Sequence, residues 1–393
     1  MTPVNKLKEV NLMKVLIIGG MGIIGSAITE ASCKKGYDVY ILSRRPLSKC
    51  FIELGVKGVQ GDWKNDEFVS ILLSERFDVI VDTLIFTSDD LKRDLKLANN
   101  KCTQFIFIST DAVYNHPGFM VTEETNIELT YLKWGYGHNK RKAELEILKH
   151  CNDYSFYWTI IRPTMTYGDR RIPVGFGSRK NEWTLIKRIT ESKPVLIFDN
   201  GCLHAMCHST TFGNAVANLF LNNKAYGEFV HISDDKPVRY EDVYQYIAEF
   251  FNTLPIVIKA NTEVLKSLSP AKYIEMVFDK NPEFTLDNKK IKYLSPDVNY
   301  NVDLRKAIES EVCFLRDNLS SMQEDKEYNM LTDTILLSYK KMQLSELQYK
   351  QVEKYVSSLS QAYKTTLKKY RLRCKIKETV RPIYKLLREQ KNH

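Results

Sequence analysis

The sequence predicts an α/β protein built on a doubly wound parallel sheet, with a smaller C-terminal lobe and a basic helical tail. Strand-like and helix-like patterns alternate through the first 168 residues, as expected for parallel strands joined by right-handed crossovers. The first apolar run, "KVLIIGG", ends in glycine, which is typical of a buried parallel strand. With 393 residues, 44% of them hydrophobic, the chain can bury a large core in two or three domains.

Six strands are predicted in a first domain at residues 13–168, and helical patterns separate most of them. In chain order the segments are the strand "KVLIIGG", the helix "GSAITEASCKKG", the strands "DVYILSR" and "VKGVQGD", the helix "FVSILLSERF", the strands "DVIVDTLIF" and "QFIFISTDAVY", the helix "YGHNKRKAELEILKH" and the strand "YWTIIRPTMTYG". This order is typical of a doubly wound sheet.

The sequence after Gly168 is less regular and predicts a smaller, substrate-binding lobe at residues 169–315, partly interleaved with the first domain. Its helices are "TTFGNAVANLFLNN" and "YEDVYQYIAEFF", and its strands are "GEFVHIS" and "PIVIKAN". We expect this lobe to cover the carboxyl edge of the sheet.

A helical extension is predicted at residues 316–393, where the composition shifts to Ser, Gln, Glu, Lys and Tyr. In "YKQVEKYVSSLSQAY" apolar residues recur at alternating steps of three and four, as on one face of a single helix. The residues of this stripe are Tyr349, Val352, Val356, Leu359 and Tyr363.

The formal net charge of +9 is confined to the last thirty residues. Residues 364–393 contain 11 Lys or Arg and 2 Asp or Glu, whereas the rest of the chain carries 46 of each sign. Such a basic amphipathic segment can lie on an anionic membrane surface, bind RNA phosphates, or cover an acidic face of a protein partner. A solvated helix is an equal alternative; among partners, the membrane is favoured and nucleic acid is the least favoured.

Cysteine usage and hydropathy predict a cytoplasmic protein, with the tail as a peripheral contact to the inner membrane face. Eight scattered cysteines in so long a chain need no disulfide framework, and reduced thiols are the default. No apolar run is long enough to cross a bilayer, and none has the form of a cleaved signal peptide.

One short segment, "CLHAMCH", places Cys202, His204, Cys207 and His208 close enough to suggest a zinc site. The spacing is not the usual pair of Cys-x-x-Cys ligands followed by a distant second pair. A loop before a helix is therefore the favoured interpretation, and no metal is predicted.

Three glycines follow the first strand, Gly19, Gly22 and Gly25, and a helix follows them. A dinucleotide turn needs glycine for a sharp bend, for approach of the backbone to a pyrophosphate, and for close packing of helix on strand. The free N–H groups of the helix, at Ile24 and its neighbours, then face the anion. The context required for a dinucleotide-binding turn is therefore present.

The end of the second strand, "SRR", indicates which dinucleotide is bound. A carboxylate there would hold a ribose 2′-hydroxyl, whereas Ser43 and Arg44, helped by Arg45, suit a 2′-phosphate. NADP is therefore favoured over NAD, with Arg44 stacked on adenine or facing water as the alternative. Asp62 ends the third strand and either accepts from the adenine amino group or forms an ordinary turn.

Tyr136 and Lys140 in "YGHNK" lie four residues apart and share one face of a helix. A nearby ammonium should lower the pKa of a tyrosine from about 10, so that the phenol can act as acid or base at a carbonyl. Thr110 ends the fifth strand, where its hydroxyl can bond the reacting oxygen. Asp111 is either an additional acid or a turn residue.

Together these motifs resemble the extended short-chain dehydrogenase/reductase family, in its NAD-dependent epimerase/dehydratase branch. The matching segments are "GGMGIIG", "GD" at 61–62, "STDAVY", "YGHNK" and "RPTMTYG", and the resemblance covers about residues 13–315. It implies a Rossmann-type fold, bound NAD(P), a nucleotide-linked sugar substrate, and Thr110, Tyr136 and Lys140 as the catalytic set. It also implies a wall between cofactor and substrate; its residues are Arg162, Pro163, Tyr167 and Gly168.

Departures from the family pattern narrow the expected reaction. Ala112 stands where sugar dehydratases carry a glutamate, so elimination of water is disfavoured. An epimerase or a ketosugar reductase remains, in surface polysaccharide or deoxysugar biosynthesis. "DTLIFTS" replaces the usual Asn-Ala-Ala-Gly motif after the fourth strand, which marks a divergent member.

Basic residues beyond the sixth strand, among them Arg170 and Arg179, could grip a substrate diphosphate, with solvated loop charges as the alternative. A homodimer is possible. A second hypothesis is a non-catalytic protein of the same fold that binds a dinucleotide and uses its tail for RNA or a protein partner.

Overall fold

The computed structural model describes residues 12–114, 120–168, 171–198 and 201–389, and side chains as far as Cys374 together with Ile376. Arg170, one of the predicted substrate residues, lies outside the described residues, as does the end of the basic tail.

In the described parts of the chain, the strands form one large sheet and three small two-stranded sheets. Their bounds are β1 (Lys14–Ile18), β2 (Asp38–Ser43), β3 (Lys57–Gln60), β4 (Val79–Asp82), β5 (Gln104–Ile108), β6 (Met120–Val121), β7 (Tyr157–Pro163), β8 (Met165–Tyr167), β9 (Val195–Ile197), β10 (Met206–His208), β11 (Glu228–Ile232), β12 (Val257–Lys259) and β13 (Thr285–Leu286).

Helices flank the large sheet and build most of the C-terminal half. Their bounds are α1 (Ile23–Lys34), α2 (Lys49–Glu53), α3 (Asp66–Leu72), α4 (Ser88–Ala98), α5 (Gly135–His150), α6 (Trp183–Thr190), α7 (Ser209–Ala217), α8 (Tyr240–Phe250), α9 (Glu263–Leu268), α10 (Pro270–Glu275), α11 (Lys289–Leu294), α12 (Leu304–Leu319), α13 (Lys326–Leu336), α14 (Glu346–Ser358) and α15 (Gln361–Glu389). Within the described chain, none of them combines the length and apolarity needed to cross a bilayer.

The large sheet confirms the predicted doubly wound architecture. In the described residues it has the order β11-β7-β5-β4-β1-β2-β3, and every neighbouring pair is parallel. The strand order reverses between β1 and β4, so the connections leaving these two strands run to opposite sides. Ligands bind at such a switch point, in the crevice outside the carboxyl ends of the strands.

Two predictions about strands need correction. The sixth predicted strand, "YWTIIRPTMTYG", is two strands, because Pro163 ends β7 and β8 then pairs with β10 outside the large sheet. The segment "GEFVHIS", assigned to the smaller lobe, is β11 and pairs with β7 as the seventh strand of the large sheet. Its alternation alone could not show which sheet it would join.

Helix α1 packs on the sheet and against α7. The two helices approach so closely at Gly213 that no side chain fits between them. A Cβ built on Gly213 of α7 would overlap the backbone carbonyl of Ala27 in α1. The apolar cores on the two faces of the sheet are fully buried, with Ile17 and Phe212 on one face and Leu16 and Phe105 on the other. The sheet edge and α1 therefore form one rigid platform.

The second lobe has a continuous core that also contains the C-terminal helices. Leu185 and Ile247 pack in the same apolar cluster as Ile335 and Val352. The domain boundaries at 168 and 315 stay predictions, since this cluster spans the second of them. The helix predicted through the stripe from Tyr349 to Tyr363 is in fact two helices.

The break between α14 and α15 has a local cause. Leu359 is extended (φ −65°, ψ 133°), and the Ser360 hydroxyl accepts a hydrogen bond from the backbone N–H of Tyr363 at 3.2 Å. A serine in this position starts a new helix. Both helices are fixed to the lobe by Asp333, whose carboxylate accepts from the hydroxyls of Tyr355 (2.8 Å) and Tyr363 (2.9 Å).

A buried ion pair ties the carboxyl ends of β5 and β7 to helix α5. Glu144 accepts two hydrogen bonds from the Arg162 guanidinium, at 2.9 and 2.8 Å, and one from the Ser109 hydroxyl at 2.7 Å. Both charged side chains are at most 1% exposed. Despite its burial, Glu144 has a pKa below the usual carboxyl range, because Arg162 and its hydrogen bonds favour the charged form.

Replacing Gly213 with Ala should push α7 away from α1. We expect the free energy of unfolding to fall by about 1–3 kcal/mol, as for other overpacked helix contacts, measured by urea denaturation. Gly135→Ala is the control, because a Cβ there has no atom within 4 Å. Equal stability of the two variants would contradict the close packing described here.

Replacing Glu144 with Gln should leave the Arg162 charge buried without a counter-ion. Breaking such a pair costs about 3–5 kcal/mol, whereas Glu346→Gln, in an exposed pair with Lys350, should cost under about 0.5 kcal/mol. The Glu144 contribution is present above the unfolded-state pKa of about 4.3 and is lost as pH falls through the lower folded-state value. Denaturant titrations from pH 7 to pH 3 should show the difference shrinking only at the acid end.

Candidate functional site

A cavity of about 430 Å³ lies at the carboxyl edge of the sheet, at the switch point between β1 and β4. It brings together most of the predicted site residues, which come from separate parts of the chain. The predicted residues that line it are Gly19, Gly22, Ile24, Gly25, Thr110, Asp111, Tyr136, Lys140, Pro163 and Arg179.

The glycine turn is closed so tightly that side chains have no room. Gly19 has φ +80°, and a Cβ there would overlap the Thr83 hydroxyl. A Cβ on Gly25 would lie 2.6 Å from the Cα of Gly20. The backbone N–H of Gly19 donates to the carbonyl of Leu42 at 3.1 Å, which holds the turn beside the end of β2. Glycine is therefore required at the first motif position by its positive φ and at the third by backbone contact.

Helix α1 begins at this turn without a side-chain cap: its N-cap is Gly22, and no side chain in the described residues bonds its first turn. The first N–H groups of a helix are left without intrahelical partners, and they carry the positive end of the helix dipole. Since Gly22, Ile24 and Gly25 line the cavity, these donors fit a bound pyrophosphate.

Tyr136 and Lys140 lie one turn apart on α5 and both line the cavity. Lys140 is 2% exposed, donates to the Ile108 carbonyl at 2.8 Å, and lies 5.9 Å from the centre of the Tyr136 ring. Burial lowers the pKa of Lys140 to about 7. The helix thus aims both side chains at the same space.

The expected lowering of the pKa of Tyr136 by Lys140 is wrong. Burial and the negative charge of Asp111 raise the pKa of Tyr136 to about 12, and a hydrogen bond from Thr110 offsets part of the shift. Lys140 supplies little positive charge near pH 7, because burial disfavours its own ammonium form. The spacing in the sequence predicts that Tyr136 and Lys140 lie on one face of a helix, but it does not predict how deeply each side chain is buried.

Thr110 and Asp111 stand where β5 runs into a short 3₁₀ turn, Asp111–Tyr114. The Thr110 hydroxyl donates to the Asp111 carboxylate at 3.2 Å. Both residues are less than 10% exposed. Burial and the facing carboxylate of Asp279 raise the pKa of Asp111 to about 7, although Lys280 opposes the shift.

Sequence reasoning missed Asp279 and Lys280, which also line the cavity, whereas Arg171 belongs to the basic residues noted beyond the sixth predicted strand. Asp279 and Lys280 come from a π-helical turn, Met276–Lys280, and Arg171 follows β8. The side chain of Arg171 makes no hydrogen bond or ion pair within the described residues, whereas Arg179 pairs with Glu275. The π-helical turn carries no motif, although such turns often mark functional sites.

The residues predicted to choose the dinucleotide lie at the ends of β2 and β3. Ser43 and Arg45 line a second cavity, of about 350 Å³, beside these ends. Arg44 is exposed and does not line it, and its carbonyl accepts from the Gln60 side chain at 3.2 Å. The exposed Asp62 accepts from the backbone N–H of Lys64 at 3.0 Å, as a turn residue does.

The resemblance placed Arg162 and Tyr167 between cofactor and substrate, but the structure places both in the protein interior. Arg162 is buried in its pair with Glu144, and Tyr167 is 1% exposed and donates to Asp234 at 3.0 Å. Neither lines the cavity, because the polar partners of each lie in the interior. Pro163 does line it.

The "CLHAMCH" segment forms a strand and a helix start. His204 stacks on Tyr240 with ring centres 4.2 Å apart, and His208 caps α7 by accepting from the N–H of Thr210. Cys207 is buried in the core. Among the residues that the structure describes, no three His, Cys, Asp or Glu side chains converge as a metal site.

Comparison with known proteins agrees with this architecture. Residues 15–204 match the model of the NAD dependent epimerase/dehydratase family. UDP-glucuronic acid 4-epimerase from Bacillus cereus in complex with NAD has a similar fold, with a TM-score of 0.61 and 20% identity, covering 78% of this chain and 99% of that one.

Two curated relatives are similar in sequence. Chloroplast stem-loop binding protein of 41 kDa b of Arabidopsis thaliana is 26% identical over 251 residues, 60% of this chain and 62% of that protein. The 2'-dehydrokanamycin reductase of Streptomyces kanamyceticus is 21% identical over 242 residues, 61% of this chain and 67% of that enzyme. The chain thus spans about three fifths to two thirds of the relatives it matches.

The glycine turn and the parallel sheet agree with the family match over the N-terminal half. Residues 15–204 thus match the NAD-dependent epimerase/dehydratase family, and the fold of the chain is of the Rossmann type.

Proposed function

We propose that the protein is an NAD(P)-dependent enzyme that moves a hydride at a carbon of a nucleotide-linked sugar, as a ketosugar reductase or an epimerase. The observation that supports this most is the single cavity in which the glycine turn meets Thr110, Tyr136 and Lys140. A protein that only binds a dinucleotide has no physical need for this set. The similarity to a curated relative named as a reductase and to a 4-epimerase of similar fold also supports this proposal.

The residues present fit a dinucleotide. The glycine cradle and the uncapped start of α1 suit a pyrophosphate, and Lys140 lies where its amine could bond ribose hydroxyls. When bound, the nicotinamide supplies or accepts the hydride. The arginines Arg171 and Arg179, at the opposite end of the cavity, suit the diphosphate of the substrate.

Tyr136 would carry the proton that accompanies the hydride. Its hydroxyl would give a proton to the carbonyl oxygen during reduction and take one from the sugar hydroxyl during oxidation. Thr110 would hold the same substrate oxygen by a hydrogen bond. An anionic dinucleotide would favour the ammonium form of Lys140, whose pKa near 7 allows it to gain a proton at neutral pH.

NADP is the cofactor that the end of β2 favours. Ser43 and Arg45 line the second cavity, beside the strand that holds the glycine turn through Leu42. A guanidinium and a hydroxyl suit a 2′-phosphate, and a carboxylate, which a ribose 2′-hydroxyl would need, is missing from the residues that line this cavity.

The membrane contact, the cytoplasmic location and the homodimer stay predictions. Helix α15 exposes Leu372 (59%) and Ile376 (53%), four residues apart, within the basic segment. This combination suits a peripheral contact with an anionic lipid surface. RNA is the alternative partner, as in the second hypothesis of a non-catalytic binding protein.

Replacing Tyr136 with Phe should remove the proton donor and keep the ring. We expect kcat to fall about 100-fold or more while the Kd for NADPH stays within about twofold, because general acid catalysis contributes at least that much. The assay is a screen of nucleotide-linked sugars and ketosugars with NADH and NADPH.

Tyr131→Phe, at a tyrosine 62% exposed outside the cavity, is the matched control for this screen. Equal turnover by wild type and Tyr136→Phe would show that the proposed mechanism is wrong.

Replacing Arg45 with Ala should weaken NADPH selectively. We expect its KM to rise about 10-fold, equivalent to about 1.4 kcal/mol, with the KM for NADH unchanged. Arg44→Ala, measured alongside, shows which arginine faces the phosphate. Arg316→Ala, on the distant helix α12, controls for a general loss of positive charge. An equal change for both dinucleotides would contradict a 2′-phosphate site here.

A further inference from the structure

Trp134 lines the cavity, although neither its helix nor the apolar core explains an indole there. It is the N-cap residue of α5, and its side chain makes no capping hydrogen bond. This position favours Ser, Thr, Asp and Asn, whereas an indole can only donate a hydrogen bond and cannot accept one from the first turn. The residue is partly exposed and is absent from the apolar clusters of the described residues. Its place therefore points to a ligand.

The start of α5 places three side chains along the cavity, in the order Lys140, Tyr136 and Trp134. The Lys140 Nζ lies 5.9 Å from the centre of the Tyr136 ring. The ring centres of Tyr136 and Trp134 are 5.0 Å apart, and the two ring planes meet at 50°. Tyr136 thus lies between the lysine and the indole.

We propose that the indole of Trp134 is the surface on which the sugar ring of the substrate stacks, so that Trp134 is a specificity-determining residue. The proposal rests on the proposed function of the cavity. If Lys140 holds the ribose of the dinucleotide and Tyr136 moves the proton, the sugar lies on the side of Tyr136 away from Lys140. Trp134 occupies that side.

The two surfaces are chemically complementary. The C–H groups on one face of a six-membered sugar form a nearly flat apolar surface with a weak positive charge, whereas the face of an indole is flat and negative. The hydroxyl groups at the edge of the sugar remain free for polar groups of the cavity, such as Thr110 and Tyr136. Stacking on Trp134 would thus orient the sugar without using its hydroxyl groups.

The other flat groups of the two ligands fit Trp134 less well. The base of a nucleotide-linked sugar is separated from the sugar by a diphosphate, so it lies further off when the sugar is at Tyr136. The nicotinamide belongs on the Lys140 side, where a different aromatic ring lines the cavity. This ring is Phe86, which is 48% exposed and has its centre 5.0 Å from the Lys140 Nζ.

The first test compares nucleotide sugars with the same nucleotides without a sugar. The pairs are UDP-glucose and UDP, dTDP-glucose and dTDP, and GDP-mannose and GDP, each titrated by calorimetry with saturating NADP⁺. In Trp134→Leu we expect the Kd of a nucleotide sugar to rise about 10-fold, while the Kd of its nucleotide stays within about twofold. Trp134→Phe keeps an aromatic face and should recover most of the loss.

Phe86→Leu is the matched control, because it removes a partly exposed ring of the same cavity on the Lys140 side. It should leave the ratio of the two Kd values unchanged. Equal weakening of nucleotide and nucleotide sugar in Trp134→Leu, or weakening of NADPH alone, would overturn the proposal. If none of the three pairs binds to the wild type, the proposed function and the stacking on Trp134 both fail. A loss confined to the sugar, without turnover in the Tyr136 screen, counts only against the proposed reaction.

The second test separates contact with the substrate from a structural role at the start of α5. With the ketosugar nucleotide that the Tyr136 screen selects, Trp134→Leu should raise the KM of the sugar about 10-fold and leave the KM of NADPH within about twofold. A purely structural role would change both KM values and lower the midpoint of thermal unfolding, followed by circular dichroism. That result would refute a stacking role for Trp134.

Discussion

Backbone contact on both sides of helix α1 is the constraint on which the rest of the structure depends. Gly25 lets the start of the helix approach Gly20, and Gly213 lets α7 approach Ala27 further along. Any side chain at these glycines would move the helix and, with it, the N–H groups at its start. Close packing of backbone therefore places the start of α1 at the cavity, and no charged side chain is needed for this.

Around Tyr136, burial governs the pKa values of the side chains that line the cavity. Tyr136, Lys140 and Asp111 are all buried in the cavity, and burial favours the neutral form of each. The pKa values of Tyr136 and Asp111 therefore rise, and that of Lys140 falls. Lys140 and Asp111 both reach about 7 from opposite directions. Small changes in local charge, such as arrival of an anionic ligand, can then shift protons at physiological pH.

The sequence predicts what depends on local pattern. The doubly wound sheet follows from alternating apolar periods, and the glycine turn and the Tyr136–Lys140 face follow from spacing within one element. Partners distant in the chain have no such signal. Nothing local joins β11 to β7, sends Arg162 to Glu144, or brings Asp279 to Asp111. The pKa shifts could not be predicted from the sequence either. The pKa of Tyr136 depends on burial, and helical spacing does not determine burial.

The C-terminal extension contributes contacts near Arg179 that the sequence did not predict. The loop that carries Arg179 is fixed on either side of it, where the Ser178 hydroxyl donates to Asp325 at 2.9 Å and the Asn181 amide donates to the Gln323 carbonyl at 3.3 Å. Both acceptors lie between α12 and α13, beyond the family match at residues 15–204. The glycine turn, in contrast, lies within the family match at residues 15–204 and follows from a compact local motif. The loop of Arg179 is instead held by partners more than 140 residues away in the chain, which no local motif could predict.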